Sequence, residues 1–109
     1  MDRKKYNKKR YECMKYHEYE KGAKRRKMPF ELSKEEFDSI TNQPCFYCGE
    51  KNGFSNGIDR IDNKFGYILN NCLPCCTMCN WMKQNLSQDI FLKHVEKIYK
   101  YITKNNSEA

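Results

Sequence analysis

Two Cys-x-x-Cys pairs, Cys45–Cys48 and Cys76–Cys79, constrain this chain more than any other feature. Four thiolates at such spacings form one tetrahedral zinc site, and the 27 residues between the pairs leave room for a loop and a hairpin. At 109 residues the chain is one small domain with a thin core, for which a metal staple is expected. The second pair has a rival register, Cys72-x-x-Cys75; Cys76–Cys79 is preferred because Asn80 follows it directly. Cys13, Cys72 and Cys75 then read as buried or incidental thiols. Seven cysteines with paired spacing favour an intracellular metal site over a disulfide framework. The first residues, Met-Asp-Arg-Lys-Lys, carry no apolar run of the secretory kind, and no stretch approaches membrane-spanning length.

The formal charge of +7 is unevenly placed. Residues 1–27 hold twelve Lys or Arg against four acids, so the remainder is close to neutral. A basic arm on a near-neutral body is the footprint of a nucleic-acid binder that works mostly through phosphates. Tyr6, Tyr11, Tyr16 and Tyr19 interleave with the charges and can pack or stack. This divides the chain into a basic helical arm over 1–30, a metal-bearing domain over 31–103 and a frayed tail over 104–109.

Local signals place the elements. Residues 4–27 read as helical, and Met28-Pro29-Phe30 breaks the pattern. Ser33-x-x-Glu36 is a capping box for a short helix with Phe37 and Ile40 on its apolar side. Cys45–Gly49 forms a tight metal turn and 51–56 a polar loop. Gly57–Asp62 is expected as the first strand of a hairpin, Asn63–Gly66 as its turn and Tyr67-Ile68-Leu69 as its return strand. A helix starting near the last Cys pair carries Asn80 and Lys83. Ser87 caps a final helix on which Phe91, Val95, Ile98 and Ile102 share one face.

The string Cys-x-x-Cys-Gly, Ile58-Asp59-Arg60-Ile61-Asp62-Asn63, Gly66-Tyr67, Asn71, Cys-x-x-Cys-Asn80 and Lys83 resembles the HNH endonuclease family, above all its phage- and virus-type members. The resemblance covers roughly residues 24–100 in order, spacing and residue type. It implies a small α+β fold: a ββα-metal hairpin and helix stapled by a four-cysteine zinc site, with flanking N- and C-terminal helices. It also implies that Asp59 and Asn80 hold one catalytic Mg²⁺ or Mn²⁺ ion, that Asn71 braces the loop between hairpin and helix, and that the protein works in the cytoplasm of a bacterial or virus-infected cell. Hard oxygen ligands suit such an ion on independent grounds, because a carboxylate and an amide leave most of its shell for water and phosphate oxygens. Lys83, three residues beyond Asn80 on the same helical face, is placed to touch a phosphate.

Arg60 departs from the family pattern, which has the general-base histidine at this position. Arginine cannot accept that proton, although it can clamp a phosphate with two hydrogen bonds. The base is then water at the ion or a side chain from outside the motif: Tyr67, His94 or His17. Asp62 and Asn63 read as turn residues. Two function classes follow, a metal-dependent DNA endonuclease and a zinc-stabilised DNA-binding module without catalysis. A zinc deaminase is excluded, since its Pro-Cys-x-x-Cys element would need a cysteine where Met78 stands. A thioredoxin-like role lacks the βαβ context. No separate specificity module is visible, which leaves room for a protein partner that supplies specificity; the oligomeric state is not legible.

Overall fold

The computed structural model describes residues 8–51 and 53–108, with side chains described through residue 104. The expected helical start at residues 4–7 lies outside the described residues. Four helices and one two-stranded antiparallel sheet follow in the order α1 (Lys8–Arg25), α2 (Lys34–Thr41), β1 (Gly57–Arg60), β2 (Cys72–Cys75), α3 (Thr77–Lys83) and α4 (Gln88–Glu108). No helix among the described residues is long and apolar enough to cross a membrane.

The starts of α2 and α4 follow from their sequences. Ser33 caps α2 reciprocally: its hydroxyl accepts from the Glu36 N–H at 3.1 Å, and the Glu36 carboxylate accepts from the Ser33 N–H at 2.9 Å. Ser87 Oγ accepts from the Ile90 N–H at the start of α4. Helix α1 is both basic surface and core. Ala23 has no exposed surface, Tyr16 donates its hydroxyl to the Leu32 carbonyl at 2.8 Å, and the Tyr16 and Tyr19 rings meet Phe37 edge-on. These groups join Leu32, Ile40, Ile58, Tyr67 and Cys72 in one aromatic-rich core against the hairpin. A second cluster, Cys45, Cys75, Cys76 and Cys79 with Tyr47 packed on it, lies toward α3.

The hairpin departs from expectation. Strand β1 ends at Arg60, and the return strand is Cys72–Cys75, paired Gly57 to Cys75 and Arg60 to Cys72, rather than Tyr67–Leu69. Residues 61–71 form a long connection between them, closed by Asn71. Its amide donates to the carbonyls of Asp62, Phe65 and Gly66, and its carbonyl oxygen accepts from the Asp62 N–H at 2.9 Å. Tyr67 leaves the hairpin to bridge Phe30 in parallel, donating its N–H to the Pro29 carbonyl at 2.9 Å and accepting from Glu31 at 2.8 Å. Asp62 is a turn residue as expected, its carboxylate accepting from the Lys64 N–H.

Helix α4 runs to Glu108, past the expected boundary at residue 104. Of its apolar face only Phe91 is buried; Val95, Ile98 and Ile102 are exposed. The helix is amphipathic, but among the described residues its stripe beyond Phe91 is left exposed.

Gly66 makes the Tyr67–Phe30 bridge possible, because a Cβ there would lie 2.3 Å from the Pro29 carbonyl oxygen. Gly66→Ala is expected to destabilise the fold by about 1–3 kcal/mol, as overpacking does. An unchanged urea midpoint for this variant would contradict the packing described.

Candidate metal centre and catalytic site

Two segments deliver four thiols to one point. Cys45 and Cys48 come from the turn after α2, while Cys76 is the cap of α3 and Cys79 lies in its first turn. Their sulfur atoms all lie within 4.8 Å of one another, as one metal ion requires. The local fold is set by backbone bonds: Gly49 donates to the Cys45 carbonyl at 2.9 Å, with Gly49 at φ 79°, and Phe46 donates to the Pro74 carbonyl at 2.8 Å. Asn56, at the end of the expected polar loop, ties this turn to the domain. Its buried side chain donates to the carbonyls of Gln43 and Glu50, both at 3.0 Å.

The chemistry of the thiols fits a cation. Burial pushes the Cys45 thiol up, but backbone N–H groups of Cys76, Cys48 and Tyr47 outweigh it and bring it down to about 6. Burial, then the neighbouring thiols of Cys76, Cys48 and Cys45, pushes Cys79 well up. The lowered Cys45 thiol suits a group that must ionise to hold a metal. Cys72 and Cys75, the rival register, sit in β2, outside the four-thiol cluster. Burial, chiefly, raises Cys72 to about 12, the behaviour of an inert core thiol. Cys13 is exposed on α1.

Asp59 lies on β1 with 3 % of its surface exposed. One carboxylate oxygen accepts from the Lys83 ammonium at 3.0 Å, and the other from the Tyr47 hydroxyl at 2.6 Å. Lys83 has no exposed surface. The shared-face spacing with Asn80 thus delivers Lys83 to a buried carboxylate rather than to an outward, phosphate-facing position. Asn80 donates its side-chain amide to the carbonyl of Ile58, the residue before Asp59, at 3.3 Å. Ile58 and Pro74 form a non-hydrogen-bonded pair, so the backbone groups of Ile58 turn away from β2: its N–H meets the Tyr19 hydroxyl at 3.1 Å and its carbonyl meets Asn80. The Asn80 side-chain oxygen has no hydrogen bond among the described residues.

Asn80 also lines a groove of about 500 Å³ between α1 and α3, with Tyr11, Lys15, Tyr19 and Trp81. Lys15 is committed within the fold, donating to the Asn56 carbonyl at 2.7 Å. Trp81 is 73 % exposed. Nothing in the sequence marks out Lys15 or Trp81, because only the packing of α1 beside α3 makes them neighbours of Asn80.

Arg60 faces the other side of the hairpin. Its Nη1 donates to the carbonyls of Asn63 at 3.0 Å and Phe65 at 2.9 Å, and its guanidinium lies 5.5 Å from the Tyr67 ring centroid. Among the three base candidates only Tyr67 contacts Arg60; it is buried, and its hydroxyl accepts from Arg26 at 3.2 Å. His17 pairs with Glu20 at 3.6 Å on the exposed side of α1, and His94 lies on the exposed surface of α4 beside Ile98 and Tyr101. Asn71 braces the connection inside the hairpin rather than the one leading to α3.

No protein-family model matches the chain. Among solved structures, the rare-cutting HNH restriction endonuclease PacI superposes with a TM-score of 0.63 over 87 % of this chain and 81 % of that one, at 22 % identity. The chain has the HNH fold. Among curated proteins, an uncharacterized protein of Acanthamoeba polyphaga mimivirus is 38 % identical over 81 residues, 72 % of this chain. The match spans only 15 % of that viral protein's length.

The four-thiol cluster gives the first test of the site. Cys48→Ser and Cys79→Ser are each expected to lose the bound metal and to unfold the knuckle and the α3 segment, because little other core holds them. Metal content by elemental analysis and circular-dichroism melts check this; a metal-stripped protein that melts like the untreated one would contradict it.

Proposed function

We propose that this chain is a metal-dependent DNA endonuclease of the HNH type, hydrolysing phosphodiester bonds, with a structural Zn²⁺ on Cys45, Cys48, Cys76 and Cys79. The observation that carries this reading is the meeting of α3 and β1: Asn80 reaches the backbone beside Asp59 and opens onto a groove walled by the basic helix. The likeness to an HNH restriction endonuclease supports it.

In this reading Asp59 and Asn80 hold the catalytic Mg²⁺ or Mn²⁺. The donor set suits a hard ion. A carboxylate offers roughly four lone-pair positions, of which Lys83 and Tyr47 take two, and the Asn80 oxygen adds a neutral ligand. When bound, the ion supplies positive charge against the phosphate and the departing oxygen. Lys83 anchors the carboxylate from the buried side. Arg60, held by two loop carbonyls, keeps its Nε and Nη2 donors for a phosphate oxygen. Base work falls to a group other than Arg60, and Tyr67, stacked beneath that guanidinium, is the candidate the geometry favours. DNA is met through phosphates by exposed Lys21, Lys24, Arg25 and Lys27 on and just after α1. A protein partner for specificity belongs to the same proposal.

One observation favours the second reading, a DNA-binding module that does not cut. The Asp59 carboxylate is buried and already faces an ammonium. Plasmid nicking with Mg²⁺ or Mn²⁺, with and without EDTA, separates the two.

The buried pair dictates how Asp59 is tested. Asp59→Ala leaves Lys83 an unpaired buried charge, which costs about 3–5 kcal/mol. Asp59→Asn combined with Lys83→Met removes both charges and is expected to stay folded, keep its zinc and nick no DNA. Asn80→Ala is expected to retain part of the activity, since water can replace a neutral ligand. Arg60→His restores a base and is expected to keep or raise nicking, with a titration near the histidine pKa. Nicking by the double variant at the wild-type rate would exclude Asp59 from the reaction.

The phosphate contacts have their own test. Changing Lys21, Lys24, Arg25 and Lys27 to Gln is expected to lower the slope of log affinity against log salt by roughly 0.9 for each side chain that meets a phosphate. An unchanged slope would make α1 a solvated helix only.

A further inference from the structure

The proposed machinery leaves one contact unused. Tyr47 lies between two knuckle ligands, in Cys45-Phe46-Tyr47-Cys48, yet its hydroxyl reaches out of the knuckle to Asp59. We infer that Tyr47 is a positioning residue for the Asp59 carboxylate, so that the zinc knuckle sets the geometry of the carboxylate that holds the catalytic ion. The inference rests on the endonuclease reading above.

Three observations carry it. The bond is short, 2.6 Å, and the hydroxyl can only donate to a carboxylate. The ring has little freedom, because it sits edge-on to Phe46 and to Phe91, each at 5.3 Å and 88°. Its backbone is fixed as well, since the neighbouring Phe46 N–H bonds to Pro74 in β2. The hydroxyl is therefore presented from a rigid turn, and that turn is as rigid as its metal makes it.

The effect on Asp59 is specific. Lys83 alone holds one oxygen and leaves the carboxylate free to rotate about its terminal bond. Lys83 and Tyr47 together hold both oxygens and fix the carboxylate plane, and with it the directions of the unused lone pairs. A divalent ion then meets a ligand already oriented. Partners of this kind are worth about 10–100-fold in metal affinity or activity when removed.

Tyr47→Phe deletes the hydroxyl and keeps the ring between Phe46 and Phe91. The experiment compares this variant with wild type in three measurements on the zinc-loaded chain. These are zinc content, Mn²⁺ affinity by electron paramagnetic resonance, and the Mn²⁺ dependence of plasmid nicking. The expected result is unchanged zinc, Mn²⁺ affinity about 10-fold weaker or more, and nicking partly recovered at saturating Mn²⁺. Wild-type Mn²⁺ affinity in Tyr47→Phe overturns the inference and leaves Tyr47 a packing residue. A wild-type chain that binds no Mn²⁺ overturns it equally. If wild type binds Mn²⁺ without nicking DNA, the endonuclease reading fails, while a weakened Tyr47→Phe still upholds the positioning role. Should Tyr47→Phe lose zinc, Tyr47→Trp, which retains a large aromatic ring but places no hydroxyl on Asp59, is measured in its place against the same two outcomes.

Discussion

The Asp59–Lys83 ion pair fixes β1 against α3 at the candidate site. Both groups are withdrawn from water, with side-chain exposures of 4 % and 0 %. Desolvating two charges costs several kcal/mol per ion, and the attraction offsets this only where geometry is good and further hydrogen bonds satisfy the groups. Here the Tyr47 hydroxyl supplies such a bond. The pair joins β1 to α3, and Tyr47 joins both to the knuckle. With those three elements locked, Asn80 has its place beside Ile58, and a candidate site exists at all.

A domain of this size has little apolar volume to spare, and its core is divided accordingly. On one face of the hairpin, aromatic rings from α1, α2 and the Phe30–Tyr67 bridge pack edge-on. On the other, four thiols and a buried ion pair take the place that larger apolar side chains would fill in a bigger protein. Helix α1 serves two ends through its amphipathic faces. Tyr16, Tyr19 and Ala23 go inward, while Lys21, Lys24 and Arg25 remain in water as the surface offered to DNA in the proposed function.

What was legible in the sequence was local. The Ser33 capping box, a helix starting near the last Cys pair, the Ser87 cap and a first strand from Gly57, expected through Asp62 and ending at Arg60, depend on residues a few positions apart. The two Cys-x-x-Cys pairs were legible for another reason, since metal ligation restricts both residue type and spacing. The return strand was not. Tyr67-Ile68-Leu69 has strand-forming composition, but Gly66 packed on Pro29 and the four-way bonding of Asn71 draw that segment to Phe30 and pass the pairing on to Cys72–Cys75. Helical spacing placed Lys83 on the face of Asn80 correctly, yet spacing says nothing of burial. No periodicity links Tyr47 to Asp59, because the contact crosses from a metal turn to a strand. The apolar stripe of α4 shows the reverse case. Its pattern was plain, and among the described residues only Phe91 of that stripe is buried.

In the proposed function Asp59 and Asn80 form a divalent-cation site beside a thiolate-bound structural metal. Anomalous diffraction from Mn²⁺-soaked crystals tests it most directly, since zinc and manganese are told apart by wavelength. The expected map has a zinc peak enclosed by Cys45, Cys48, Cys76 and Cys79, and a separate manganese peak roughly 2.0–2.2 Å from an Asp59 oxygen and the Asn80 side-chain oxygen. A map with the zinc peak alone, and Asp59 still closed on Lys83 and Tyr47, would contradict it.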